Sequence, residues 1–219
     1  MKKLLKKDLR LCATPLTYAF IAFGLLTFFP GYPILMVGFF VCLGLYHSFQ
    51  GARESNDLLY TALLPVAKAD VVKSKYLFCA VIELSAFTLS AAVTLLRMTV
   101  FVDSALYRGN FMMNANPAYL GLLLLLFGLF DTIFLGGFFR TGYSIGKPFL
   151  RFCIVALIYI GAAETLHHLP GLEAVNAFGL ESLPLQLGIL LCGLALSVTM
   201  TVLSCRSAIR AFEKTDLSA

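Results

Sequence analysis

The sequence predicts an all-α, polytopic membrane protein with six transmembrane helices. Of its 219 residues, 59% are hydrophobic and only 13% are charged, and the mean hydropathy is +0.87. A soluble domain of this size needs more polar surface, and runs of about 20 apolar residues are typical of helices that cross a bilayer. Little of the chain lies outside such runs, so residues 1–219 are predicted to form a single transmembrane domain.

Six apolar runs give the predicted spans. They cover residues 11–29, 33–50, 76–101, 117–139, 149–169 and 183–205. The tight turn PGYP separates the first two. Before the first span, residues 1–10 place leucines and lysines on opposite sides of a helix, which predicts an amphipathic helix on the membrane surface. A plain basic flank is the alternative for these ten residues.

The basic residues predict the orientation of the chain. Every lysine and arginine except Arg97 and Arg108 lies in the N-terminal segment, the second loop, the fourth loop with its two flanks, or the C-terminal segment. Positive charge is retained on the cytoplasmic side, so both termini are expected in the cytoplasm. We therefore attribute the net charge of +5 to topology and to contact with anionic lipids, and we expect no nucleic-acid partner.

The second loop, residues 52–75, is far more polar than the runs around it. Leu59 and Leu63 are spaced i, i+4, and Glu54 and Asp57 lie in what would be the first helical turn, where acids are favoured. Pro65 is expected to end this amphipathic helix. A second short helix with lysines should follow, with Lys73, Lys75 and Tyr76 at the level of the lipid headgroups.

The third span carries a polar stripe on one helical face. Its members are Glu83, Phe87, Ser90, Thr94 and Arg97, spaced i, i+4, i+7, i+11 and i+14. Asp131 in the fourth span lies at a depth similar to that of Glu83. The two acids either line a cavity that meets a cationic part of a substrate or bind neighbouring hydroxyl groups and hold helices together. Arg97 lies near the outer interface, where it can snorkel.

Two short motifs raise the question of chemistry. In ETLHH, Glu164 precedes the adjacent His167 and His168, whereas metal hydrolases place two histidines at i, i+4 on one face. In GYSIGKP, the spacing and the proline after lysine do not fit a phosphate-binding loop. We therefore expect no catalytic residue, no metal ligand and no nucleotide site, so any ATP-driven work requires an ATPase in another chain.

The second loop and the N-terminus together resemble the ABC-2-type transporter permeases, in particular their small six-span branch. These begin with a surface helix containing a Lys-Asp pair, here Lys7 and Asp8 in LLKKDLRL. They then carry an acidic, leucine-containing coupling helix, a Leu-Pro turn, a basic residue and a V-x-x-K-Y run. The matching coupling residues are Glu54, Asp57, Leu58, Leu59, Leu63, Pro65 and Lys68.

The resemblance implies a transport function. Two permease chains, expected as a homodimer, would each contact one cytoplasmic ATPase that uses ATP and Mg²⁺, while this chain would bind no cofactor itself. The complex would export an amphipathic substrate such as a peptide, lipid or drug across the bacterial cytoplasmic membrane. The branch includes exporters of cytolytic amphipathic peptides, and an acidic cavity with many phenylalanines would suit a cationic cargo. The candidate pathway residues are Glu83, Ser90, Thr94, Arg97 and Asp131.

Three alternatives come from other classes of protein. The first is an intramembrane metal-dependent hydrolase that uses Glu164, His167 and His168. The second is a stand-alone secondary transporter, although such proteins often contain inverted repeats and we find none in this sequence. The third is a purely structural membrane subunit.

Overall fold

A computed structural model describes residues 2–57, 60–61, 65–108, 110–141 and 144–214. The regular elements in these ranges are all helices, which confirms the predicted all-α class. The α-helices are α1 (Lys2–Lys7), α2 (Pro15–Ile21), α3 (Met36–Glu54), α4 (Lys68–Thr99), α5 (Ala105–Arg108), α6 (Pro117–Phe130), α7 (Gly136–Arg140), α8 (Gly146–Thr165) and α9 (Leu183–Glu213). The π-helix Asp8–Cys12 extends α1, and the π-helix Asp131–Leu135 joins α6 to α7. The 3₁₀ segments are Ala22–Phe28, Leu166–His168 and Glu173–Asn176.

Four helical stretches in the described ranges are long and apolar enough to cross a membrane. They are Lys68–Thr99, Pro117–Arg140, Gly146–His168 and Leu183–Glu213, and a bent pair near the N-terminus makes a fifth if it counts as one span. The second predicted span is helical as α3. It is not apolar enough to be counted among these stretches, because its last third is polar. Its side chains Val37, Val41 and Leu45 are fully buried in the protein. The count of six spans therefore stays a prediction.

The N-terminal helical stretch bends sharply before it enters the bundle. Lys2–Cys12 and Pro15–Phe28 meet at 97°, so the first segment ends two residues later than the predicted boundary at residue 10. Thr14 caps the next helix, because its side chain accepts a hydrogen bond from Thr17 N. The 3₁₀ half of this helix rises further per residue than an α-helix, so Pro15–Phe28 extends over about 24 Å.

The helix of the third predicted span begins earlier than expected. We predicted a second short helix before residue 76, but α4 runs without a break for 32 residues from Lys68. The prediction of a separate helix was wrong because no helix-breaking residue lies between Lys68 and Thr99. The lysine-rich stretch is therefore the first part of a helix that is also long enough to cross the bilayer.

Helices α6 and α9 approach each other backbone to backbone. A Cβ atom on Gly193 would meet the carbonyl oxygen of Gly121, and a Cβ atom on Gly121 would lie 2.8 Å from the Cα atom of Leu190. Small residues permit such close packing between membrane helices, where van der Waals contact replaces the hydrophobic effect as the source of association. This contact fixes the two most apolar helices against each other.

Aromatic rings fill the middle of the bundle. Phe134 is fully buried, and its ring centroid lies 4.9 Å from that of Phe130 and 5.4 Å from that of Phe49. Tyr46 and Phe149 stack at 3.8 Å beside it. These phenylalanines therefore belong to the packed core.

The bundle has two chemically different ends. At one end the N-terminal helix contacts the start of α4, and Phe212 near the C-terminus packs on Phe139 at 5.6 Å. We call this the basic end. At the opposite end, Gly31 N donates a hydrogen bond to Asn110, and Asn114 N donates one to Asn176. Both termini of the described chain therefore lie at the basic end.

Candidate functional site

A buried lysine is the centre of a charge cluster at the basic end. Lys75 Nζ lies 2.8 Å from Asp8 Oδ1, 3.0 Å from Asp57 Oδ2 and 3.2 Å from Cys12 Sγ. Ser74 donates a hydrogen bond of 2.7 Å to the other oxygen of Asp8. The cluster thus joins the N-terminal helix, the second loop and α4 around one ammonium group.

A second lysine completes the cluster. Lys7 Nζ donates to both carboxylate oxygens of Asp57, at 2.8 and 3.0 Å, and to Thr61 Oγ1 at 2.7 Å. It also lies 3.4 Å from Asp8 Oδ1. With two lysines and two aspartates, the cluster carries no net formal charge.

The local backbone explains why Asp8 and Cys12 reach the same lysine. The wider turns of the π-helix Asp8–Cys12 are closed by the hydrogen bond from Ala13 N to Asp8 O, at 3.0 Å. Cys12 Sγ then lies 3.4 Å from Asp8 Oδ1. Single turns of π-helix occur frequently at functional sites, and here the turn directs two side chains of one segment toward α4.

Burial makes these contacts strong. The exposed fraction is 1% for Asp8 and 2% for Lys75, and such charges are tolerated inside a protein only when they are paired and hydrogen-bonded. Asp57 lies at the edge of the cluster, where 13% of its side chain is exposed. Partial burial alone would raise the pKa of the Asp57 carboxyl, but the nearby ammonium groups of Lys75 and Lys7 outweigh it and lower that pKa.

The cluster contains a set of potential metal ligands, but their geometry does not favour a metal. One ligand atom each from Asp8, Cys12 and Asp57 lies within 4.8 Å of the others. Lys75 Nζ is within 3.2 Å of all three atoms. A metal ion would have to displace this ammonium group, so the cation that these three ligands bind is Lys75.

The predicted coupling residues differ in how the structure places them. Leu58, Leu59 and Leu63 lie outside the described residues. Glu54 is exposed and accepts a hydrogen bond from Gln50, Pro65 lies in a bend before α4, and Lys68 is the first residue of that helix.

Two positions in this loop differ from the prediction. Asp57 turns inward to the two lysines, although its place in the sequence suggested only a role in the first turn of a helix. Lys75, expected among the lipid headgroups, has its ammonium group inside the protein, where the charges of Asp8 and Asp57 hold it. Sequence reasoning identified the Lys-Asp pair and the Lys-Tyr run as separate motif elements. It missed that they contact each other, because nothing local in the sequence pairs residues 67 positions apart.

The polar stripe of α4 faces the inside of the protein. Glu83, Ser90, Thr94 and Arg97 are all buried, and Phe87 is partly buried. Asp131 is 1% exposed on the adjacent helical stretch. Thr201 of α9 donates a hydrogen bond of 2.6 Å to its carboxylate, and Ser204 donates one to its backbone oxygen. Glu83 Oε1 and Asp131 Oδ1 have no hydrogen-bond partner within the described ranges.

Arg97 does not snorkel toward the interface. Its side chain is fully buried, and Nη1 donates a hydrogen bond of 2.6 Å to the backbone oxygen of Thr27. The guanidinium carbon lies 4.2 Å from the ring centroid of Tyr107. The expectation was wrong because the 3₁₀ segment Ala22–Phe28 packs over Arg97 and offers it a backbone acceptor.

The ETLHH motif is used for structure. Glu164 is 4% exposed and accepts hydrogen bonds from the backbone N–H groups of Leu35 and Met113, at 2.9 and 3.3 Å. His167 Nε2 lies 3.2 Å from the backbone oxygen of Phe111. These contacts connect three segments of the opposite end, and both carboxylate oxygens are already occupied. The arrangement does not favour the hydrolase alternative.

The long apolar helices, packed around buried charges, define a multi-pass helical membrane protein. The profile of the family described as "ABC-2 family transporter protein" matches residues 3–213, nearly the whole length, and the chain belongs to this family. Members are membrane components of transporters, so the family implies an ABC ATPase subunit as partner. No curated protein and no solved structure matches the chain.

Proposed function

We propose that this chain is the permease subunit of an ATP-binding-cassette exporter. The observation that carries the proposal is the family match over residues 3–213. Two permease chains would form a homodimer in the bacterial cytoplasmic membrane, each spanning it six times with both termini in the cytoplasm. Each would contact one ATPase subunit, which binds the ATP and Mg²⁺ and performs the hydrolysis.

The second loop is the proposed contact with the ATPase. The described residues of this loop, 52–57, 60–61 and 65–75, lie at the basic end, which the positive-inside rule assigns to the cytoplasm. Tyr60 in this loop is 66% exposed, and the leucines at 59 and 63 would add an apolar patch on a helix. A few buried apolar and aromatic anchors supply most of the binding energy in such interfaces.

The proposed substrate is amphipathic: a peptide, a lipid or a drug. Glu83 and Asp131 are the reason to propose a cationic group in this substrate. Each has one carboxylate oxygen without a hydrogen-bond partner in the described part of the chain, and a cation could bind there. Ser90, Thr94 and Arg97 continue the same inward face toward the opposite end. In the structure this face is closed, so the substrate would reach it only after α4 moves relative to its neighbours.

The test is purification of the chain from its native membranes in mild detergent. Mass spectrometry identifies the proteins that co-purify, and ATP hydrolysis is assayed in the same fraction. We expect a stoichiometric ATPase that Leu59→Asp or Tyr60→Asp releases without loss of membrane insertion. Leu106→Asp is the matched control, since Leu106 is 64% exposed at the opposite end. A chain that purifies without any ATPase would contradict the proposal.

A further inference from the structure

We propose that Asp57 is a positioning residue that transmits movement of the ATPase-contacting loop to α4 through Lys75 and to the N-terminal helix through Lys7. This inference rests on the proposed function, and it assigns to Asp57 a role different from docking. Only 13% of the Asp57 side chain is exposed, because its carboxylate faces Lys7 and Lys75. It contacts two other helices of the same chain.

Asp57 and its neighbour Thr61 connect the loop to the rest of the protein. In the described residues 55–57 and 60–61, the side-chain hydrogen bonds to α1 and α4 involve Asp57 and Thr61. Asp57 Oδ1 accepts from Lys7, and Oδ2 accepts from both Lys7 and Lys75. A single carboxylate therefore bridges two helices that are far apart in sequence.

The burial of Lys75 makes this bridge resistant to rupture. If the loop moved alone, Lys75, whose side chain is only 3% exposed, would lose one of its two carboxylates. Leaving a buried charge without part of its compensation is costly. Movement of α4 together with the loop avoids this cost, so the ion pair favours joint movement.

The helix itself carries the movement toward the membrane interior. Lys75 precedes Glu83 by eight residues, about 12 Å along an α-helix. Both residues belong to the uninterrupted helix Lys68–Thr99. A displacement applied at Lys75 therefore reaches the polar stripe without an intervening joint.

The same helix offers a matched control pair. Asp70 and Lys73 lie 3.8 Å apart, and their side chains are 42% and 50% exposed. Exposed pairs of this kind contribute little, because water screens the charges and the side chains lose freedom. Asp70→Asn thus removes the same chemical group as Asp57→Asn without breaking a contact between elements.

The experiment uses the complete complex purified with its ATPase. Amide hydrogen exchange of residues 68–80 is compared between the nucleotide-free complex and the complex trapped with ATP and vanadate. We expect a nucleotide-dependent difference in the wild type and in Asp70→Asn. In Asp57→Asn the ATPase should remain bound, while this difference falls by about fivefold or more, the lower end of typical coupling between sites. Asp57→Glu, which keeps the carboxylate, should restore it.

Each other outcome has a defined meaning. An unchanged exchange difference in Asp57→Asn would overturn the inference, as would a wild-type complex in which residues 68–80 do not respond to nucleotide. Loss of the ATPase from the Asp57→Asn complex would make Asp57 a docking residue and overturn it too. If the wild-type chain brings no ATPase, the proposed function fails first and the inference fails with it. Melting temperatures of all variants show whether a lost signal comes from unfolding.

Discussion

Asp8 and Lys75 form an ion pair of 2.8 Å between the N-terminal helix and the eighth residue of α4. Neither residue is more than 2% exposed. The pair therefore fixes the N-terminal segment to a helix that is long and apolar enough to cross the bilayer. Because Asp57 joins the same lysine, the contact also determines where the second loop lies.

Lys75→Met should destabilise the protein strongly. The change leaves the buried Asp8 with the hydrogen bond from Ser74 and with Lys7 at the longer distance of 3.4 Å. Removing one member of a buried ion pair typically costs about 3–5 kcal/mol. Lys73→Met on the exposed pair of the same helix is the control and should change stability by less than about 1 kcal/mol. Thermal unfolding in detergent measures both. Equal melting temperatures for the two variants would contradict the importance of the buried cluster.

Acid should remove the contribution of Asp57. Its pKa is lowered in the folded protein relative to the ordinary value of 3.8, so its stabilising effect is complete above that value and is lost as the pH falls through the folded-state pKa. The difference in unfolding free energy between wild type and Asp57→Asn should stay constant from about pH 7 to about pH 5 and shrink below about pH 4. Denaturant titrations at each pH test this. If the difference in unfolding free energy grew on acidification, the prediction for Asp57 would be contradicted.

Gly193→Ala should weaken the contact between α6 and α9. The added methyl group would meet the backbone of Gly121, which cannot move aside as a flexible side chain would, and such overpacking costs about 1–3 kcal/mol. Gly188→Ala lies in the same helix, where no atom is within 4 Å of the added carbon. This control should be neutral or stabilising in a thermal unfolding assay, because alanine favours a helix. A tolerated Gly193→Ala would show that the helices are further apart.

Neutralising the two buried acids should reduce transport of a cationic cargo. The double variant Glu83→Gln with Asp131→Asn removes both carboxyl groups. We expect ATP-dependent uptake of a cationic amphipathic peptide into inverted vesicles to fall about tenfold, the effect of one charged hydrogen bond. Asp103→Asn, an exposed acid at the opposite end, should leave uptake unchanged. Uptake that is unaffected in the double variant would leave the two acids with a structural role only.

Variants of Glu164 and His167 distinguish a structural role of these residues from a role in the hydrolase alternative. Glutamine offers one side-chain oxygen where Glu164 uses two, so Glu164→Gln leaves one of two backbone N–H groups unpaired and should cost about 1–3 kcal/mol of stability. His167→Ala should leave ATP-dependent transport unchanged. Thermal unfolding and the vesicle assay test the two expectations. A variant that folds normally but loses a hydrolytic activity would restore the alternative.

Much of the helical architecture could be predicted because its signals are local. The last five predicted runs each overlap one helical stretch, whereas the first contains the bend between Cys12 and Pro15. The spacing of Glu83, Ser90, Thr94 and Arg97 placed them on one face, which is buried. Hydropathy and helical period are properties of neighbouring residues, so they can be read without knowledge of the rest of the chain.

The sequence by itself determined the all-α class, the approximate helix positions and the separation of basic residues from the apolar runs. The tertiary structure decided the 97° bend, the acceptor that holds Arg97 inside the protein, and the two aspartates that surround Lys75. These depend on which distant segments meet. The sequence around a lysine on a helical face does not show whether its side chain reaches water or a buried carboxylate. Only packing brings the carboxylate of Asp8 within 2.8 Å of Lys75.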